Sequence, residues 1–274
     1  PKSDRPNLAS STDTTAAPPQ SDPADTSNVL LEQVIITNAV LKILPNDGKK
    51  FPLRFDVHRV RLQSAGQNVA MKYEAALTNA KPRGEVQSSG TFGPWVADDP
   101  GDTHLAGSYN FTKADLGVFS GIDGTLDSSG QFTGTLSSVN VKGEATVPDF
   151  RLKQVGNRLR LRTRFEVRVD GTNGDTILQP VTGSLGSTTF RTSGGIIRHE
   201  SDLRRTISLN VSMPSGNIQD LLSLAMKGTP FMRGKIALNT KIDIPPLTGS
   251  VREKLHLDGQ FHLSEARFLK STVQ

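Results

Sequence analysis

Cysteine is absent from the 274-residue sequence, which excludes a disulfide scaffold and any thiolate-held metal but leaves the compartment open. Aromatic residues are scarce at 5%, and hydrophobic residues reach only 35%, a low share for a compact globular domain. No apolar run approaches the ~20 residues that a membrane-spanning helix needs, and no secretory signal is visible. The chain starts at Pro1 and stops at Gln274 inside an apparent strand-and-turn segment. The expectation is a piece of a longer protein, with any membrane anchor outside it. Helical periodicity is also nearly missing, so the chain must be built mostly from something else.

What is present is alternation. Between Asn157 and Leu185, Leu159, Leu161, Phe165, Val167 and Val169 fall on one side of an extended chain, with Arg160, Arg162, Arg164, Glu166 and Arg168 on the other. The run Asp170-Gly171-Thr172-Asn173-Gly174-Asp175 reverses the chain, because Gly and Asn tolerate the positive φ of tight turns. Ile177, Gln179, Val181, Gly183 and Leu185 then read as a returning strand. Further alternating runs include Leu53 to Val57, Val60 to Leu62, Leu105 to Phe111, Thr206 to Met213, Ile236 to Ile244 and Leu255 to Leu263. Val34 to Ile43 reads as two short strands about Asn38. Gly (25 residues) and Pro (16 residues) supply the turns.

The pattern predicts a mainly β chain of roughly 15 strands, which at ~4.8 Å per strand would make a sheet about 70 Å long. Open sheets beyond ~10 strands curl or split. Two short helical pieces are expected. One starts at the capping-box spacing Thr112 to Asp115 and runs through Leu116 and Phe119. The other has Ser215 as cap, Ile218, Leu221, Leu222 and Ala225 on one face, and Gly228 as its end. Residues 1–28 are Ser, Thr, Pro, Asp and Ala with almost no bulky apolar residue, which predicts a disordered linker before a domain at 29–274. Three weak internal echoes, Gly84 to Phe92, Gly124 to Phe132 and Gly183 to Phe190, suggest a repeated layer.

The net charge of +5 is concentrated between Arg151 and Arg168, where seven basic residues stand against Glu166. A solvated strand face is the plain reading; contact of Arg160, Arg162, Arg164 and Arg168 with anionic lipid headgroups is the sharper one. Nucleic acid is not expected, since that face has no aromatics on which bases stack. No catalytic motif, metal motif or cofactor fingerprint occurs. His256 and His262 on one strand face, Asp170 and Asp175 in a turn, and Asp98, Asp99 and Asp102 in one loop could suggest zinc, calcium or glycoside chemistry. Each is explained more simply by an amphipathic strand, a hairpin and a single acidic loop. Trp95 reads as a packing anchor for its turn, with a sugar platform as the lesser option.

Several runs resemble AsmA-like proteins of the bacterial envelope. They are Gly-Thr-Phe-Gly-Pro-Trp at 90–95, Ala-Asp-Leu-Gly-Val-Phe-Ser-Gly-Ile-Asp-Gly-Thr-Leu at 114–126 and Val-Asp-Gly-Thr-Asn-Gly-Asp-Thr at 169–176, together with 220–227 and the Ile244-Pro245-Pro246 break. The resemblance spans about 29–274 and rests on turns and strand ends. It groups the chain with TamB-like and bridge-like lipid-transfer proteins. It implies a repeating β-groove, a long curled antiparallel sheet shaped like a taco. It also implies a periplasmic body held to the inner membrane by a segment outside this chain. The implied role is moving phospholipid between inner and outer membranes, or supporting outer-membrane assembly with other envelope proteins, with no enzymatic activity and no cofactor. The lining expected from the residue pattern is Leu159, Leu161, Phe165, Val167, Val169, Leu209, Val211, Ile236, Leu238, Leu255, Leu257 and Phe261. The competing expectation is a closed β-sandwich or β-solenoid used for adhesion or carbohydrate binding, with the same residues forming a dry core.

Overall fold

The structure, a computed structural model, describes residues 31–43, 53–65, 69–199, 202–245 and 255–269. The expected linker at 1–28 and the turn at 45–48 lie outside the described residues. Period-two alternation yields fourteen strands: β1 (Leu31–Ile43), β2 (Leu53–Ala65), β3 (Met71–Ala80), β4 (Arg83–Phe92), β5 (His104–Asp115), β6 (Ile122–Asp123), β7 (Thr125–Thr135), β8 (Ser138–Leu152), β9 (Leu159–Val169), β10 (Thr176–Leu185), β11 (Thr188–His199), β12 (Asp202–Asn217), β13 (Met232–Ile244) and β14 (His256–Phe268). One helix, α1 (Ile218–Ala225), separates β12 from β13.

Thirteen strands form one antiparallel ladder in chain order, and the two-residue β6 pairs beside it with the end of β8. Among the described residues the ladder does not close into a barrel, and β1 and β14 are its outermost strands. At ~4.8 Å per strand it extends roughly 60 Å. This is one continuous sheet, not the two facing sheets of a sandwich, and its antiparallel hairpins are not the coils of a β-solenoid.

Register resolves the two faces. On β9 the odd residues 159–169 are half-buried, whereas Arg160, Arg162, Arg164 and Arg168 are exposed. The same split, apolar or small on one side and polar on the other, runs through the neighbouring strands. Bulges correct several sequence expectations. Asn38 (φ +52°) does not divide two strands; it is a left-handed residue inside the single strand β1. A register shift between Val57 and Arg59 moves the inward parity of β2 from odd to even, so Val57 and Val60 share a face. In β10 a shift between Leu178 and Val181 surrounds Pro180, which has no N–H to donate to a ladder. The returning strand therefore does not alternate uniformly: Ile177 pairs with Arg168 on the polar side and is 40% exposed, whereas Val181 is buried.

Glycines stand opposite one another on the apolar face, Gly90 with Gly107 and Gly130 with Gly143. A Cβ on Gly130 would lie 2.4 Å from the Lys142 carbonyl and 2.9 Å from the Gly143 Cα. Both contacts are backbone and too short for a real Cβ, so this position has no room for a side chain. Apolar-face residues are correspondingly less exposed than their polar-face neighbours along β3, β4 and β9.

One rim of the sheet is braced. After β5 the chain makes a 3-10 turn, Leu116–Val118, capped by Asp115, whose Oδ1 accepts from the Gly117 N–H at 2.7 Å. The capping-box reading is thus corrected: Thr112 to Asp115 complete β5, and Lys113 is a left-handed bulge. Lys153 donates to the Gly117 and Phe119 carbonyls at 2.5 and 3.0 Å, and Arg151 pairs with Asp123. That guanidinium, first by its hydrogen bond, holds the Asp123 carboxyl below its usual range. Asn157 continues the brace: its N–H donates to Ser223 O at 2.7 Å, and its side chain exchanges hydrogen bonds with Gly228.

Helix α1 lies along this rim, and its Ile218 buries against Met213 and Ile236, with Leu221 and Leu222 alongside. Its N-cap is Asn217, not Ser215, which remains in β12. Gly228 (φ +84°) comes two residues after the C-cap Met226. Among the described residues ten hydrophobic side chains are buried, and seven of these, Ala114, Leu116, Val147, Leu185, Met213, Ile218 and Ile236, follow the braced rim. Most other apolar side chains among the described residues are half-buried or exposed.

Asp220 on α1 ties this rim to the β10–β11 turn. Its Oδ2 accepts from Ser187 N (3.1 Å), Ser187 Oγ (2.7 Å) and the buried Thr188 Oγ1 (2.7 Å). Asp220→Ala removes three hydrogen bonds to one charged acceptor and should cost about 2 kcal/mol of stability, read from the shift in a urea unfolding midpoint. Asp220→Asn keeps one acceptor oxygen and should recover part of the loss.

Candidate functional site: an apolar trough

Tracing partners strand by strand shows how the floor is built. One row crosses all thirteen strands of the ladder: Val34, Leu62, Tyr73, Gly90, Gly107, Phe132, Val141, Val167, Leu178, Gly194, Leu209, Ile242 and Leu257. No member is charged, and none is buried. The floor therefore offers apolar surface to solvent from one edge of the sheet to the other.

A second feature overlaps that row. Five cross-strand pairs on this face join an aromatic to a glycine: Tyr73 with Gly90, Phe132 with Gly107, Tyr109 with Gly130, Phe165 with Gly143 and Phe190 with Gly183. In the four pairs other than Tyr73–Gly90 the ring lies within 3.1 Å of where the glycine's Cβ would be, so it fills the space left by the missing side chain. A Cβ on Gly143 would meet Phe165 Cζ at 3.1 Å, and one on Gly183 would meet Phe190 Cζ at 2.5 Å. The rings thus lie across the floor and keep it apolar.

The internal echoes acquire a physical meaning here. Ser88-Ser89-Gly90 in β4 and Ser128-Ser129-Gly130 in β7 stand in equivalent positions. Tyr73 hydroxyl lies 2.9 Å from Ser88 Oγ, and Tyr109 hydroxyl lies 3.0 Å from Ser128 Oγ. Each serine then donates onward, to Ser108 O and to Glu144 O, both at 2.9 Å. Both phenols are pushed above their ordinary pKa, first by burial and against the smaller effect of the serine. A phenol whose folded pKa is raised contributes stability that is fully present below about pH 10 and is lost as pH rises through the folded value. Unfolding free energy should therefore fall above about pH 10 in the native chain and fall less in the Tyr73→Phe/Tyr109→Phe double variant.

Leu159, Leu161, Phe165, Val167, Val169, Leu209 and Val211 all stand on the trough face and are half-buried. Leu257 and Phe261 stand on the same face at the β14 edge, 63% and 67% exposed. Leu255 immediately precedes β14 and is also exposed. Ile236 is different. It is 5% exposed beneath α1, so it belongs to a packed cluster and offers nothing to the trough. Leu238 packs against the same cluster. The glycine–aromatic pairs were not among the expected site residues. Their sequence signal is glycine and an aromatic two residues apart, as in Gly107-Ser108-Tyr109 and Gly130-Gln131-Phe132, but cross-strand pairing is needed to interpret it.

The arginine stripe stands on the opposite face. Arg164 lies 3.9 Å from Glu144, and Lys142 pairs with Glu166 at 3.1 Å. Arg162, Arg164 and Arg191 border a shallow depression of about 1030 Å³ between side-chain rows, together with serine and threonine hydroxyls. Because the backbone lies between them, a molecule seated in the trough cannot touch these side chains at mid-strand.

The alternative site readings have structural explanations. The Asp170 carboxylate accepts from Thr172 N (2.8 Å), Thr172 Oγ1 (2.5 Å) and Asn173 Nδ2 (2.6 Å), so it is spent on its own turn. Asp99 accepts from Gly101 N at 2.9 Å, capping the 3-10 turn Pro100–Asp102. Trp95 packs on Phe92 with ring centroids 6.0 Å apart. His256 and His262 are six residues apart on one strand, roughly 20 Å, too far to share an ion. Among the described residues no cluster of three or more potential metal ligands occurs, and no helix is long and apolar enough to cross a membrane. Comparison with protein-family models, with curated proteins and with solved structures returns no match to this chain.

Proposed function

We propose that this chain is a non-enzymatic lipid-binding segment that shields phospholipid acyl chains in its trough as they pass between the inner and outer membranes, or during outer-membrane assembly. One observation carries the reading: an uncharged row with no buried member spans the whole ladder, and among the described residues no second sheet lies over it. Exposed apolar patches of this extent mark surfaces that receive a partner. A ~16-carbon acyl chain costs about 12 kcal/mol to expose to water, at ~0.8 kcal/mol per methylene, so a carrier must present continuous apolar contact. The polar, arginine-bearing outer face would keep such a carrier soluble, and Arg160, Arg162, Arg164 and Arg168 would meet anionic headgroups of a membrane surface, not those of the carried lipid. The AsmA-like resemblance fits this role and suggests a periplasmic setting with an inner-membrane anchor elsewhere in a longer protein.

The test is extraction and mass spectrometry of lipid from the purified chain, followed by transfer of a fluorescent phospholipid between vesicles. Phospholipid at or above one molecule per chain and accelerated transfer are expected. A lipid-free chain that also fails to accelerate transfer overturns the reading.

A further inference from the structure

Among the described residues no strand pairs with the outer side of the thirteen-residue β14, and its apolar side chains are the most exposed of these residues, with Leu257 63%, Phe261 67% and Phe268 74% accessible. A long edge with uncovered N–H and C=O groups is a template for another strand. Its own features restrict what can pair with it. Glu265 has φ +52°, and the register with β13 shifts between Arg233 and Lys235, so the regular part of β14 runs from residue 256 to residue 264. That stretch is centred on Gln260.

We propose that β14 pairs antiparallel with β14 of a second copy about a two-fold axis through Gln260. This register sets Leu257 opposite Leu263, so the trough-face leucines meet. It sets Gly259 opposite Phe261, repeating the glycine–aromatic pairing found five times inside the sheet. On the outer face it sets Asp258 opposite His262 of the second copy, and the reciprocal pair forms by symmetry. The strand is thus complementary to itself on both faces in the one register that uses its full regular length.

Topology disfavours the other arrangements. Thirteen strands in an antiparallel ladder give β1 and β14 the same direction. Stacking copies head to tail would therefore pair β1 with β14 in parallel, whereas a two-fold axis normal to the sheet keeps the pairing antiparallel and both apolar faces on one side. β1 is the poorer self-partner because its left-handed Asn38 interrupts it at mid-strand. The result is a closed dimer whose trough runs unbroken through both copies. This inference does not depend on what the trough binds.

The absence of cysteine makes the register directly testable. Gln260→Cys places two thiols at the axis, roughly 5 Å apart between Cα atoms and within disulfide reach. Mild oxidation should give a covalent dimer, whereas Thr37→Cys on β1 should not. Sedimentation of the unmodified chain should show a species of twice 29.5 kDa. His262→Asp faces two aspartates across the axis and should weaken the dimer roughly tenfold or more, and the Asp258→His/His262→Asp swap should restore it. A chain that stays at 29.5 kDa at every concentration overturns the proposal. So does a dimer that ignores His262→Asp and is cross-linked by oxidation of the Thr37→Cys variant but not of the Gln260→Cys variant.

Discussion

Replacing Gly130 with valine should destabilise the sheet more than any single change on its polar face. The Cβ alone would lie 2.4 Å from the Lys142 carbonyl oxygen and 2.9 Å from both the Gly143 Cα and the Tyr109 ring. Two of those three contacts are backbone of the adjacent strand, which cannot swing aside as a side-chain tip can. Relief requires β7 and β8 to separate, against the packing of Tyr109 and Phe165 over the glycine pair. Overpacking alone costs 1–3 kcal/mol, and loss of the Tyr109–Ser128 contact adds about 1 kcal/mol, so a total of about 3 kcal/mol is expected. Urea unfolding would show it as a lower midpoint. Gly228→Ala is the control, because nothing lies within 4 Å of a Cβ there and only the positive φ is strained. A Gly130→Val chain as stable as the parent would mean that the close strand approach is not needed for the fold.

How much of this was legible in the sequence follows from what a period of two can carry. Alternation in 159–169 placed β9, its two faces and the 170–175 turn correctly, because each depends only on neighbours in the chain. It left two outcomes open, a closed sandwich or a curled sheet, since so many one-sided strands had almost no helix to cover them. It failed where one residue breaks the parity. Asn38, the shift after Val57 and Pro180 each move side chains to the other face, and only pairing with the next strand reveals it. It failed too where elements distant in sequence meet. Ile236 reads as a lining residue in its own strand, and only the packing of Ile218 from α1 turns it into core. The glycine–aromatic floor is the extreme case, because its unit is a pair of residues on different strands and neither member signals it alone.

The cleanest separation of fold from function should come from Val167→Asp. Val167 stands at mid-strand between Val141 on β8 and Leu178 on β10, half-buried on the trough face. In an empty trough water reaches that position, so the aspartate stays hydrated and the folded sheet should lose only the valine's partial burial, about 1 kcal/mol. When an acyl chain fills the trough the same carboxylate must give up its water with no charged residue in its cross-strand row to pair it, which costs several kcal/mol. Bound phospholipid should therefore fall by more than about tenfold, since each 1.4 kcal/mol is a factor of ten, while the urea midpoint moves little. Leu238→Asp is a poorer probe, because Leu238 packs against the cluster beneath α1 and its loss would disturb fold and trough together. Ile236→Asp should unfold that rim outright, placing a charge at a position only 5% exposed. Arg164→Glu on the opposite face should leave the lipid content of the chain unchanged. If Val167→Asp retains the parent's phospholipid while remaining folded, the lipid does not lie along the row that contains Val141, Val167 and Leu178, and the apolar face is not its seat.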